Sequence, residues 1–304
     1  MPTLHLGINT CFAVKRWPEP ERWVSIVKRY LGLTCCQFSL DLVDPSLDEK
    51  ATASYADEVR ACSTANNLHL HSTFTGLAAY SWSQLLHPNK ALREVAMSWY
   101  TRAIDFTERL GAYGTGGHIG AFSAQDDVDG PRKRALVQEM TERLAALSRY
   151  AAQKGLRFLL FENMAVEREW GHTIQEAQLL ANLETGTGVP LVLCLDVGHP
   201  CVLRTGTSSD EYLAWLSQSW PHTPIIHLQQ TDRSADHHWP FTAEYNRRGI
   251  VQAGPVIEAI QHWSNCSDVY LFLEPIFPFE ADDATVLHGL RESVRYWQEA
   301  MQKQ

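Results

Sequence analysis

The chain has 304 residues, 45% hydrophobic, 10% aromatic and 20% charged, enough apolar surface for a large core and enough charge for a polar exterior. Its formal net charge of −9 gives no basic field for nucleic acid or anionic lipid, so a small molecule in a local pocket is the expected partner. The seven cysteines are odd in number and form no CxxC pair, which argues against a disulfide framework and for a reducing compartment.

The opening MPTLHLGINT has no basic region ahead of a long apolar run, and no apolar stretch of about 18 residues follows anywhere. The cytoplasm is therefore the expected location, with no membrane partner. From there, short β-rich runs alternate with amphipathic helical patterns, as βα units around a parallel sheet require. Strands are predicted over 4–10, 34–40, 68–74, 113–119, 156–162, 190–196, 224–229 and 269–275, none with a proline in its middle. Helical faces run through Leu92, Val95, Trp99, Ala103, Phe106 and Leu110, then Leu136, Met140, Leu144, Leu147 and Ala151, and finally Leu287, Leu290, Val294, Trp297 and Met301. Thr173 with Glu176, and Ser208 with Glu211, are spaced as capping boxes that start helices.

Eight βα units without a Gly/Ser/Pro-rich linker predict one α/β domain over 1–304, a (β/α)₈ TIM barrel. The connections 72–89 and 230–254 exceed the usual few residues and are expected to be structureless lids or binding loops. Gly114, Gly116 and Gly117 in GTGGH lack a dinucleotide fingerprint and read as room for close backbone approach.

Chemistry gathers at strand ends. FLLFEN supplies Glu162, LVLCLDVGH supplies Asp196, PIIHLQQTD supplies His227 and LFLEP supplies Glu274. Alone, each carboxylate reads as a helix cap or an arginine partner, and a single histidine as a hydrogen-bonded core residue. Four consecutive strand ends bearing such groups point instead to one divalent cation, since a barrel brings those ends to one mouth. His71, His118 and His199 form a second set, for substrate hydroxyls or further metals, against the plainer reading of satisfied polar residues at a barrel rim. Arg233, and farther on Arg247 and Arg248, could meet an anionic substrate end or simply be solvated.

On these residues the chain resembles the xylose-isomerase-like TIM barrel superfamily, in its sugar and sugar-phosphate isomerase/epimerase branch. The resemblance spans the whole chain. It implies Glu162, Asp196, His227 and Glu274 as metal ligands, His199 as the histidine of a DxxH substrate motif, and Arg233 as a substrate-contacting arginine. His71, His118 and His238 join these as expected substrate-binding residues. Mn²⁺ is the expected ion, with Co²⁺, Mg²⁺ or Zn²⁺ as alternatives. NTCFAVKRWPEP and HSTFTGLAAYS further suggest the tetrulose-phosphate epimerases of erythritol breakdown, or a related 3-oxo-acid-sugar decarboxylase.

The implied mechanism is proton transfer through a metal-stabilised enediolate, with Glu162 and Glu274 as the two proton carriers. Loss of CO₂ from a 3-oxo sugar acid would use the same intermediate. The Asp236/His238 pair beside the other histidines also fits the AP-endonuclease branch, which holds three zinc ions, but the negative charge opposes a grip on DNA. Expected substrates are a sugar, sugar phosphate or sugar acid. A homo-oligomer is allowed by the sequence.

Overall fold

Each β-rich run forms a strand in the computed structural model, which describes residues 1–202, 211–218 and 223–303. In chain order the strands are β1 (Thr3–Asn9), β2 (Cys35–Ser39), β3 (His69–Phe74), β4 (Gly114–Gly117), β5 (Phe158–Glu162), β6 (Leu191–Asp196), β7 (Ile225–Leu228) and β8 (Asp268–Leu273). The helices are α1 (Pro20–Ser25), α2 (Glu49–Ala65), α3 (Gly76–Tyr80), α4 (Lys90–Leu110), α5 (Ala124–Val128), α6 (Gly130–Gln153), α7 (Ile174–Ala181), α8 (Glu211–Gln218), α9 (Ala243–Arg248), α10 (Ala253–Trp263) and α11 (Asp283–Gln302). The strands follow the order β3-β2-β1-β8-β7-β6-β5-β4 in one sheet. Tyr113 N–H donates to the His71 carbonyl and Thr75 N–H to that of Gly116, which joins β3 to β4 and makes a nearly closed barrel. No helix among the described residues is long and apolar enough to cross a membrane.

Two compact units are distinguished within the chain, one comprising Met1–Gln37, Ala65–His69 and Cys194–Gln304, the other Phe38–Thr64 and Leu70–Leu193. Their boundaries fall inside β2, α2, β3 and β6 rather than in linkers.

In the first unit β1 pairs in parallel with both β2 and β8, with Asn9 opposite Gln37 and Ile8 opposite Leu273. Asp196 stands opposite His227, and His227 opposite Phe272. This register brings the ends of β6, β7 and β8 to one level. The face of α11 is as expected at its centre: Leu290, Val294 and Trp297 are buried, and the Trp297 ring meets Phe241 edge-on at 5.3 Å.

The second unit shows what the GTGGH glycines do. A Cβ on Gly116 would lie 2.1 Å from the Leu160 carbonyl oxygen, and Gly116 holds φ +140°, a conformation other residues rarely adopt. Gly117 would meet Thr75 Oγ1 at 2.5 Å. The close backbone approach expected of these residues therefore sets the spacing of β4 against β5, the strand that ends in Glu162.

The predicted face of α6 is buried throughout, but that of α4 is corrected in its first half. Leu92 and Val95 are exposed, and Arg93, Ala96 and Tyr100 face inward. The cause is a charge pair. Arg93 grips Glu139 of α6 with two hydrogen bonds of 3.0 and 2.8 Å, which makes burial of its guanidinium affordable and rotates the helix away from the apolar count. Arg93 hydrogen bonding, aided by Arg143, holds the Glu139 carboxyl down at about 2 against the opposing effect of burial. The folded chain thus binds fewer protons here than the unfolded one, so the stabilisation is complete above the ordinary carboxylate range and fades as pH falls toward about 2. Urea unfolding of Glu139→Gln between pH 5 and 2 should show a shallower loss of stability than the parent chain, by at most about 3 kcal/mol before solvent screening. Identical slopes would refute this assignment.

The connections 72–89 and 230–254 are not structureless. The first carries α3 and a 3₁₀ turn at Gln84–Leu86; the second carries α9 and a two-way backbone bridge between Gln230 and Trp239. Thr173 caps α7 as predicted, its hydroxyl accepting from Glu176 N–H. Ser208 lies outside the described residues.

Candidate active site

Asp196 ends β6, His227 lies in β7 and Glu274 directly follows β8. All three side chains are buried, and each offers a ligand atom within 4.8 Å of the others'. Asp196 Oδ1 accepts from the backbone N–H groups of Gly198 and His199 at 2.7 and 2.8 Å and from Gln229 Nε2 at 3.2 Å. His227 places Nδ1 2.9 Å from Glu274 Oε2, with Nε2 2.6 Å from Gln37 Oε1. Asn9 donates through Nδ2 to Gln37 Oε1 and Glu274 Oε1, both at 2.9 Å. Two buried carboxylates this close repel each other and lose hydration, a cost met by a positive charge among them. Although burial alone would raise the Glu274 carboxyl, the imidazoles of His227, His238 and His199 hold it below its ordinary value.

A second cluster adjoins this one on the same unit. His199 and His238 each direct Nε2 to Asp236 Oδ2 at 3.2 Å, and His238 Nδ1 is 3.0 Å from the Glu274 carbonyl oxygen. Gln229 Nε2 binds Asp236 Oδ1 at 2.6 Å, and its Oε1 accepts from His238 N–H at 2.8 Å, so one amide orients the whole cluster. Burial pushes the His238 imidazole down, but the Asp236 carboxylate, with Glu274 and Asp196, outweighs it and raises the group to about 10. Asp236 is correspondingly held well below its usual value by His238 and His199 in spite of its own desolvation. The backbone of His238 itself sits at φ +49°, an uncommon conformation that concentrates at functional sites.

In the other unit Glu162 ends β5 with its side chain buried, and His118 Nδ1 stands 3.6 Å from Glu162 Oε2. The His118 ring is held between Phe74 at 5.4 Å and Tyr80 at 4.6 Å, and its Nδ1 also approaches Met164 Sδ at 3.4 Å. His118 is thereby placed beside Glu162.

His71 is a correction. Its backbone carbonyl accepts from Tyr113, ahead of β4, and its ring stacks on Phe158 at the first residue of β5, four positions before Glu162. A histidine at that level belongs to the packing at the start of the strands, not to the group at their ends. Arg233 is half-buried in the connection after β7, at φ +81°. Burial, then the Asp196 charge, lifts the Cys201 thiol to about 12, and Arg233 opposes that rise, which places its charge near the DxxH segment. Arg247 and Arg248 are exposed, and Arg248 covers the Trp239 ring at 4.5 Å.

Sequence reasoning missed Asn9, Gln37 and Gln229. Their one signal is a polar side chain at the end or in the middle of a strand otherwise buried.

Similarity to known proteins agrees with this geometry. The family model described as xylose isomerase-like TIM barrel matches residues 26–274. A curated relative, D-erythrulose 1-phosphate 3-epimerase of Brucella abortus (strain 2308), is 27% identical over 299 residues, covering 97% of this chain and 95% of that protein. A crystal structure from Rhodospirillum rubrum ATCC 11170, of a protein provisionally named a xylose isomerase, superposes with a TM-score of 0.89 at 30% identity, over 97% of this chain and 99% of that one. D-psicose 3-epimerase from Clostridium cellulolyticum H10, solved with D-tagatose, shares the fold with a TM-score of 0.68 at 15% identity, over 98% and 97% of the two chains.

Proposed function

Because the chain belongs to the xylose isomerase-like TIM barrel family, we propose that it is a divalent-metal-dependent epimerase of a short ketose phosphate of the tetrulose type. The observation that carries this reading is the buried trio of Asp196, His227 and Glu274 at adjoining strand ends. Glu162 is assigned as the fourth ligand, since β5 follows β6 in the sheet and its last residue is a buried carboxylate. Three carboxylates and one imidazole suit Mn²⁺ or Co²⁺, and equally admit Mg²⁺ or Zn²⁺. The substrate class rests on the erythrulose-phosphate relative, whose similarity runs almost end to end. That the named relatives include sugar 3-epimerases weighs for proton transfer over loss of CO₂.

When bound, the cation polarises the substrate carbonyl and so acidifies the neighbouring C–H and stabilises the negative charge that develops on oxygen. Inversion at that carbon requires a proton to leave one face and another to arrive on the opposite face. Two carboxylates are therefore needed, and Glu162 and Glu274 are assigned to them, one as base and one as acid. Asp196 and His227 serve the cation alone. Asp196 Oδ1 is occupied by three donors, so Oδ2 is the oxygen a cation would engage. His199 and His238, oriented by Asp236, are assigned to substrate hydroxyls, as is His118; Arg233 is assigned to the anionic end.

Deuterium incorporation tests the reaction. Mn²⁺-loaded protein incubated with D-erythrulose 1-phosphate in D₂O should place deuterium at the inverted carbon and give the epimer. Turnover without exchange, or no turnover of any tetrulose phosphate, would remove this reading.

A further inference from the structure

The amides of Asn9 and Gln37 are fully buried, at the end of β1 and inside β2, where hydrophobic side chains would pack without cost. Their hydrogen bonds leave no choice of orientation. The backbone N–H of Cys11 donates to one end of the Asn9 amide at 2.9 Å, which identifies that end as Oδ1. The other end is then Nδ2, and its two hydrogens go to Glu274 Oε1 and Gln37 Oε1. Gln37 consequently turns an acceptor toward His227, and only a protonated Nε2 can meet that acceptor at 2.6 Å.

The consequence falls on the opposite edge of the imidazole. With Nε2 holding its proton, the nitrogen left to bind a cation is Nδ1, the one 2.9 Å from Glu274 Oε2. We propose that Asn9 and Gln37 are positioning residues that preset the metal centre, Gln37 by fixing the tautomer of His227 and Asn9 by locking the Glu274 carboxylate and the Gln37 amide into one arrangement. This inference rests on the metal-binding reading above. Register explains why one amide can serve both: Asn9 is opposite Gln37 on β2, and its neighbour Ile8 is opposite Leu273, one residue before Glu274. A chain of three hydrogen bonds thus runs from the backbone of the 3₁₀ turn after β1 to an imidazole of β7.

Binding of Mn²⁺ to metal-free protein, followed by the electron spin resonance signal of the free ion, separates this inference from the reading beneath it. Wild-type protein that binds no Mn²⁺ would overturn both. If wild type binds, Gln37→Met, which keeps the volume and removes the acceptor, is expected to weaken Mn²⁺ by about 10–100-fold. Gln37→Glu, which keeps an acceptor facing Nε2, is expected to retain more of the affinity than Gln37→Met. Equal affinity in wild type and Gln37→Met would overturn the inference alone, as would a lower melting temperature in Gln37→Met with the affinity unchanged. Wild-type protein supplies a readout independent of any variant: ¹⁵N chemical shifts of the Zn²⁺-loaded form should show His227 protonated at Nε2 and ligated at Nδ1. Ligation through Nε2 would overturn it.

Discussion

Glu274→Gln is expected to lower kcat by about 10²–10⁴-fold, the range spanned by loss of a positioned proton carrier. The substitution keeps the side-chain volume, so the effect is chemical. At position 274 Oε1 accepts from Asn9 Nδ2 and Oε2 faces His227 Nδ1. An amide can satisfy Asn9 with its oxygen, but its NH₂ then points at His227 Nδ1, the atom assigned to the cation. It also carries no charge and takes up no proton near neutral pH. Both assigned duties of Glu274 fail together, and the loss should appear in kcat with a smaller change in the melting temperature. Deuterium exchange at the substrate carbon should fall in parallel. Exchange at the parental rate with the product unreleased would move the defect away from proton transfer and sink the assignment of Glu274.

How much of this was legible beforehand differs by level. The eight strands were readable because short β-rich runs, bounded by turns and separated by long amphipathic segments, carry both a length and a period. Glu162, Asp196, His227 and Glu274 were readable as candidates because each stands at or near the end of such a run. Height along the barrel was not. His71 sits near the middle of its predicted strand, and only pairing of β3 with β4 shows that it is level with Tyr113 and Phe158 at the strand starts. The first turns of α4 were misphased because hydropathy counts an arginine as outward, whereas Arg93 is buried through its bidentate pair with Glu139. Asn9 and Gln37 escaped for a related reason. A lone amide in a strand has no periodic signature, and its purpose exists only in the register that sets β1 against β2 and β8.

Removal of divalent cations with a chelator is expected to abolish epimerase activity, and Mn²⁺ or Co²⁺ to restore it. The largest effect expected of any single treatment follows from the charge at the strand ends. Asp196 and Glu274 are buried within one cluster, Glu162 is the carboxylate assigned beside them, and the positive charge that His238 holds at neutral pH is shared among Asp236, Glu274 and Asp196. Without a cation this group has no Lewis acid for the carbonyl and only that shared imidazolium against its carboxylates. Loss of activity should therefore be accompanied by loss of stability: a ligand held only by the folded chain contributes about 2.7 kcal/mol at one hundred times its Kd. Calorimetric scans of chelated and Mn²⁺-restored protein should differ in melting temperature, and the difference should grow with free Mn²⁺. His227→Ala, which removes a ligand assigned no proton-transfer duty, should erase most of that metal-dependent increment. Full activity in protein shown to be free of divalent metal would refute the proposed mechanism; a melting temperature indifferent to Mn²⁺ in the wild type would refute the assigned centre.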